Sequence, residues 1–276
     1  MKIAITGASG FIGRRVREQL RDHEFRAVSL RGDVRPENFA ELEAVVHLGG
    51  EPVAQRWTAA ARLRILRSRV DGTRRLVEAL KANPPAVLIS ASAIGYYGSR
   101  GDEILTETSS GANDFLGQVA QEWERAALAA ESFGVRVVIL RIAMVLGRGG
   151  GALAKMLTPF RLGIGGRIGS GKQWMSWIHL DDLAALIAFA LEHPTLRGPV
   201  NASAPEPVAN AEFTRELARA LHRPAIFPVP EAALKLMFGE MSQMILASER
   251  VLPEAALRAG FSFRFPRIRE ALRDLV

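Results

Sequence analysis

Apolar residues recur along this chain in two rhythms, and the alternation between them predicts strands and helices in turn. Ile3 and Ile5 mark a short buried strand, after which Ile12, Val16 and Leu20 recur every four residues, the spacing of a helix face. Further strands are predicted over residues 26–30, 44–48, 86–90 and 136–140. A short connection around Pro36 precedes the third strand, and a long helix runs from a Thr58 cap to about Leu80. Asn83-Pro84-Pro85 stops that helix, since proline lacks an N–H and clashes with the preceding turn. Another helix is predicted over residues 114–133. Strands that alternate with helices predict an α/β fold, a doubly wound parallel sheet of Rossmann type.

The rhythm changes in the second half. A glycine-dense region over residues 147–171 is interrupted by a helical segment over 152–161, and residues 174–178 read as ordered and partly buried. Asp181-Asp182 opens a helix that ends before Pro194. From Pro199 the chain reads as helix-rich and proline-punctuated, with short helices over 211–221, 231–238 and 267–275. The expectation is a nucleotide-binding domain over residues 1–165 with parts of 175–205. A smaller C-terminal lobe over 166–276 would leave a substrate cleft between the two.

The first strand runs into Gly7-Ala8-Ser9-Gly10-Phe11-Ile12-Gly13. Glycines at this spacing between a strand and a helix suit a dinucleotide pyrophosphate: Gly7 allows a sharp turn, Gly10 a close backbone approach, and Gly13 tight helix–strand packing. Arg31, at the end of the second predicted strand, falls where a fold of this kind meets the adenosine ribose. An arginine there accommodates a 2'-phosphate and points to NADP(H) rather than NAD(H), with Asp33 as the alternative ribose ligand. Gly49-Gly50-Glu51-Pro52 breaks the chain at the carboxyl end of the third strand, where ligands of open parallel sheets bind; His47, inside an apolar run, reads as a satisfied core histidine. The fourth strand delivers Ser90, Ser92, Tyr96 and Tyr97 to the same edge. Phenols there can exchange protons at a carbonyl or carbinol carbon, or only pack against the pocket.

Composition narrows the class. Among 276 residues 48% are hydrophobic, enough for a substantial core, yet no window is long and apolar enough to span a bilayer. Cysteine is absent, which excludes disulfides, thiolate metal sites and a cysteine nucleophile and suits a reducing cytoplasm. Met1-Lys2 leads directly into a strand, with no room for a signal peptide in this reading. The net charge of +7 does not point to nucleic acid, because the basic residues are spread along helices, as in the run over residues 62–69. His23, His47, His179, His193 and His222 show no close metal-ligand spacing.

Taken together, several ordered segments resemble the extended branch of the short-chain dehydrogenase/reductase superfamily, and within it an atypical nucleoside-diphosphate-sugar epimerase-like group with a C-terminal domain of unknown function. They are the Gly7–Gly13 turn, Leu48-Gly49-Gly50-Glu51-Pro52, Ser68-Arg69-Val70-Asp71-Gly72-Thr73, residues 92–98, and Arg141 with Val145-Leu146-Gly147. Gly169-Ser170-Gly171, residues 177–183 and Gly260-Phe261-Ser262-Phe263 complete the set. The resemblance implies that residues Ser9, Gly10, Phe11, Ile12 and Gly13 hold the pyrophosphate and Arg31 the 2'-phosphate. It places Leu48, Gly49, Gly50 and Glu51 beside the adenine ribose, and Ser90 and Ser92 by the nicotinamide.

The chain departs from that group's chemistry in one place. Ordinary members carry a tyrosine and, four residues later, a lysine on the helix after the fourth strand; here Leu116 and Ala120 take those positions, or Phe115 and Val119 one residue earlier. Arg69 replaces a supporting asparagine. Apolar residues cannot supply the roughly 10²- to 10⁴-fold of general acid–base catalysis. Ser92, Tyr96 and Tyr97 are the candidate substitutes, with Arg69 or Arg141 able to stabilise a phenolate. The expected protein is an NADP(H)-dependent, epimerase-like oxidoreductase, monomeric or homodimeric, with a small-molecule substrate such as a nucleotide sugar. Its alternative is a catalytically silent NADP(H)-binding sensor or scaffold.

Overall fold

The computed structural model describes all 276 residues. Along the chain run β1 (Lys2–Thr6), α1 (Phe11–Gln19), β2 (Glu24–Val28), β3 (Ala44–His47), α2 (Ala59–Leu80), β4 (Val87–Ala93), β5 (Ile104–Leu105), α3 (Phe115–Leu128), β6 (Arg136–Ile142), β7 (Met144–Leu146) and α4 (Gly151–Arg161). They continue with β8 (Trp174–Met175), β9 (Trp177–His179), α5 (Leu180–Glu192), β10 (Gly198–Ala202), β11 (Val208–Ala209), α6 (Asn210–Leu221), α7 (Glu231–Phe238), α8 (Ser242–Leu246), β12 (Arg250–Val251), α9 (Glu254–Arg258) and α10 (Ile268–Leu275). No helix is long and apolar enough to cross a membrane.

Six strands form one sheet in the order β10-β6-β4-β3-β1-β2, every neighbour parallel. β3 is buried at all its positions, as a strand covered on both faces must be. On one face Val16 of α1, Leu20 just after it, and Leu183, Leu186 and Ile187 of α5 pack on Ile3, Ile5, Val46 and Ile89. On the other, Leu76, Val77 and Leu80 of α2 and Ala127 of α3 pack on Ala4, Val45, Leu88 and Val137. This is the doubly wound α/β arrangement that the alternating pattern predicts.

A separate core gathers much of the second half of the chain. Leu153 and Phe160 of α4, Phe213 and Leu217 of α6, and Ile268, Leu272 and Leu275 of α10 surround Trp177. Sequence places α4 within residues 1–165, yet its apolar face packs here. Conversely, Ala256 and Phe261 from the C-terminal stretch pack against the sheet core. The chain therefore passes back and forth between the two bodies.

Within the six-stranded sheet, three strands differ from the expected pattern in ways that bear on the site. β2 ends at Val28 rather than residue 30, because it is an edge strand on which Val28 alone is buried. β10 was not foreseen; it begins Gly198-Pro199, and proline is tolerated because this strand lies at the sheet's other edge. β4 extends to Ala93, so Ser92, expected beyond the end of the strand, lies inside it together with Ser90.

Candidate functional site

β1 and β3 are neighbours, while the chain between them forms β2 on the far side of β1, so the winding direction reverses at their carboxyl ends. Two glycine turns meet at this point. Gly7 has a φ of +72°, and a Cβ there would lie 3.0 Å from the Leu48 carbonyl carbon and 3.1 Å from the Gly49 nitrogen. A Cβ on Gly13 would lie 2.3 Å from the Gly7 oxygen. Gly10 stands at the N-cap of α1 without any side-chain cap, so the N–H groups of the first turn are left for an outside acceptor. Ser9 and Gly10 are exposed, while Phe11 and Ile12 are half-buried.

A buried polar bridge holds the two turns in register. His47 Nδ1 is 2.6 Å from the Thr6 hydroxyl and Nε2 is 2.8 Å from the Thr73 hydroxyl, while the Gly49 N–H donates to Thr6 Oγ1 at 3.2 Å. Which ring nitrogen carries the proton depends on the tautomer; in either one, both nitrogens have a threonine hydroxyl as partner. Burial, with the charge of Arg69, lowers His47 to about 4, so the ring is neutral near pH 7. It is the satisfied core histidine expected from sequence.

On the β2 side, Arg31 lies three residues past the strand's end, exposed, and its guanidinium has no intramolecular hydrogen-bond or ion-pair partner. Asp33, the alternative ribose ligand, is paired with Arg35 at 2.7 Å. On the β3 side, Arg69 donates to the Glu51 carbonyl at 2.9 Å, and its guanidinium lies 5.1 Å from the centre of the Trp123 ring. A Cβ on Gly50 would approach that guanidinium to 3.3 Å. Burial lowers Arg69 to about 10, against the opposing charge of Glu51. Trp123 Nε1 is buried without a hydrogen-bond partner. An uncapped helix start and a turn that excludes side chains fit a phosphate-bearing dinucleotide.

The candidate acid–base groups are placed otherwise than sequence suggests. Ser92 is buried and donates to Glu124 Oε1 at 2.7 Å, and Glu124 forms a bidentate pair with Arg141 at 2.9 Å on each arm. Arg141 Nη1 donates to the Tyr97 oxygen at 2.9 Å, and Tyr97 donates to Asn201 Oδ1 at 2.6 Å. Burial outweighs Arg141's charge and pushes the Tyr97 phenol up to about 12. Arg141 is also disfavoured by burial, yet Glu124 holds it above its ordinary value. Tyr97 is 0% exposed and Ser90 is equally buried, its hydroxyl turned to the Ala91 carbonyl. Ser90, Ser92, Tyr97 and Arg141 are thus interior groups, tied down by partners of their own rather than open to a ligand.

Tyr96 alone among the candidates stays half-buried, with the Arg141 guanidinium 3.5 Å from its ring centre. The α3 face turned to β4 carries Leu116 and Glu124: a Cβ on Gly95 would lie 3.3 Å from that of Leu116, and Glu124 meets Ser92. Ala120, one turn from each, is buried. Phe115 and Val119 pack with Trp57 and Met241, in a cluster that Leu116 also joins. Sequence reasoning missed Asn201, Thr6, Thr73 and Trp123. Only the polar Thr6 and Thr73 beside apolar runs carried a local signal; Tyr97 and Asn201 are 104 residues apart.

A parallel sheet with a glycine-lined, uncapped helix start at its switch point defines a Rossmann-type nucleotide-binding protein. Residues 3–202 match the NAD dependent epimerase/dehydratase family, and residues 229–275 match a domain of unknown function, DUF1731. An Arabidopsis thaliana chloroplastic homolog of the epimerase family protein SDR39U1 is 38% identical, over 100% of this chain and 87% of its own length. The Bacillus subtilis epimerase family protein YfhF is 36% identical, over 100% of this chain and 98% of its own. The crystal structure of human SDR39U1 isoform 2 with NADPH superposes with a TM-score of 0.93 at 34% identity, covering 100% of this chain and 99% of that one. The chain belongs to the NAD-dependent epimerase/dehydratase family. A Thermus thermophilus UDP-glucose 4-epimerase with NAD, TM-score 0.79 at 19% identity over 99% of this chain and 97% of that one, shares the fold.

Proposed function

We propose that this chain is an NADP(H)-binding, epimerase-like oxidoreductase acting at a carbonyl or carbinol carbon held between the sheet's carboxyl edge and the C-terminal lobe. The observation that carries this reading is the uncapped start of α1 after β1, with the exposed, unpaired Arg31 guanidinium following the carboxyl end of the neighbouring β2. The relative crystallised with NADPH supports it. Ser9, Gly10, Phe11, Ile12 and Gly13 take the pyrophosphate, Arg31 the 2'-phosphate, and Gly49, Gly50, Glu51 and Arg69 the neighbouring edge. When bound, the nicotinamide supplies or accepts a hydride. Tyr96 is the phenol left to exchange the accompanying proton, and its ring lies 3.5 Å from the Arg141 guanidinium. A nucleotide sugar is one substrate of this description.

A second reading, a catalytically silent NADP(H)-binding sensor or scaffold, is favoured by Leu116 and Ala120, which offer no proton. One experiment separates them: NADPH oxidation with aldehydes and ketones, and epimer formation from UDP-sugars with NADP, are followed for the wild type and Tyr96→Phe. Turnover that falls at least about 100-fold in the variant, with NADPH affinity kept, supports the enzyme and its acid–base group. NADPH binding without turnover of any compound supports the sensor.

A further inference from the structure

The loop that carries Arg31 has no strand neighbour, because β2 has already ended at Val28. Leu30 and Val34 lean on the core between the sheet and α2. The polar tie is Arg75, on α2, 45 residues away from Leu30 in sequence. Its Nη2 donates to the Leu30 carbonyl at 2.8 Å and its Nη1 to the Gly32 carbonyl at 3.2 Å. One planar guanidinium therefore grips the backbone on both sides of residue 31, while the Arg31 N–H donates to Ser29 Oγ at 3.2 Å. A rigid fork with parallel donors suits this task, and a single ammonium cannot span both carbonyls in the same way.

We infer that Arg75 is the positioning residue for cofactor selection: it fixes the backbone on either side of Arg31 so that the exposed Arg31 guanidinium is already aimed at the 2'-phosphate before binding. The inference rests on the reading of Arg31 as the 2'-phosphate contact. Without the fork, the loop must be ordered at the moment of binding, and that cost falls on the ligand that uses Arg31. A ligand lacking the 2'-phosphate does not use Arg31 and escapes the cost. Specificity for the phosphorylated cofactor is thus set by a residue on the next helix, which need not touch the ligand.

The test is titration calorimetry of NADPH and NADH against the wild type, Arg31→Ala, Arg75→Ala, Arg75→Lys and the Arg31→Ala/Arg75→Ala pair. Arg75→Ala is expected to weaken NADPH about tenfold, the scale of one or two net hydrogen bonds, with NADH changed less than about twofold. Arg75→Lys keeps the charge but not the fork and is expected to recover less than half of the loss in binding free energy. In the Arg31→Ala background the Arg75 substitution should have no further effect on NADPH. Full recovery in Arg75→Lys would show a field effect and overturn positioning. Equal losses for both nucleotides would show a general structural role and overturn it too, as would an unchanged NADPH affinity in Arg75→Ala. If Arg31→Ala itself leaves the preference for NADPH intact, the reading of Arg31 fails first, and the inference with it.

Discussion

Ser92 and Glu124, 32 residues apart, share a buried hydrogen bond of 2.7 Å, and this contact ties the β4 serine into the interior. The Glu124 oxygen that accepts it also accepts from Arg141 Nε at 2.9 Å. The hydroxyl is consequently part of an interior network running through Arg141 and Tyr97 to Asn201.

Removal of the carboxylate should leave Arg141 buried and unpaired. Glu124→Ala is expected to lower stability by about 3–5 kcal/mol, as for other half-broken buried ion pairs. Urea unfolding measures it; a loss below about 1 kcal/mol would mean that water reaches Arg141 freely.

Tyr97→Phe should act on the fold and spare the chemistry. It strands one acceptor on Asn201 and one donor on Arg141, for a loss of roughly 1–3 kcal/mol. NADPH affinity and the rate of any turnover should stay within about threefold of wild type at a temperature where the variant is folded. A rate collapse in the folded variant would return Tyr97 to the list of acid–base groups.

Much of the fold was legible in the sequence, and the legible parts share a cause. β1, β3, β4 and β6 are buried runs, and α1 and α2 carry periodic faces, so local pattern and final burial agree. The glycine turn was legible because backbone geometry at Gly7 and Gly13 admits no side chain. β10 was not, since an edge strand beginning Gly198-Pro199 carries little strand signal. The roles of Ser92, Tyr97 and Arg141 were hidden for another reason: being near the edge of a sheet is local, whereas which partner claims a hydroxyl is decided by chain segments far away in sequence.

His47 gives stability a pH dependence with a definite sign. Its folded-state value, about 4, lies below the ordinary 6.5, so the unfolded chain binds the extra proton first. The contribution is complete above about pH 6.5 and is lost as pH falls toward 4, for a total of about 3 kcal/mol. Urea unfolding across this window should show a slope that flattens in His47→Gln; an unchanged slope would contradict the assignment.

Gly13→Ala tests the cradle itself. A Cβ 2.3 Å from the Gly7 oxygen must push the turn and α1 apart. Stability should fall by roughly 1–3 kcal/mol, and NADPH affinity should fall for a protein that still folds. Retained affinity with retained stability would show that the turn can shift without loss.

The central claim is that this chain binds a 2'-phosphorylated dinucleotide and selects it through Arg31. The most direct measurement is the ratio of dissociation constants for NADH and NADPH in the wild type and in Arg31→Ala, by calorimetry at fixed ionic strength. A ratio of about tenfold or more in favour of NADPH is predicted, collapsing toward unity in the variant while NADH affinity is kept. Absence of NADPH binding, or a preference that survives the loss of Arg31, would contradict it.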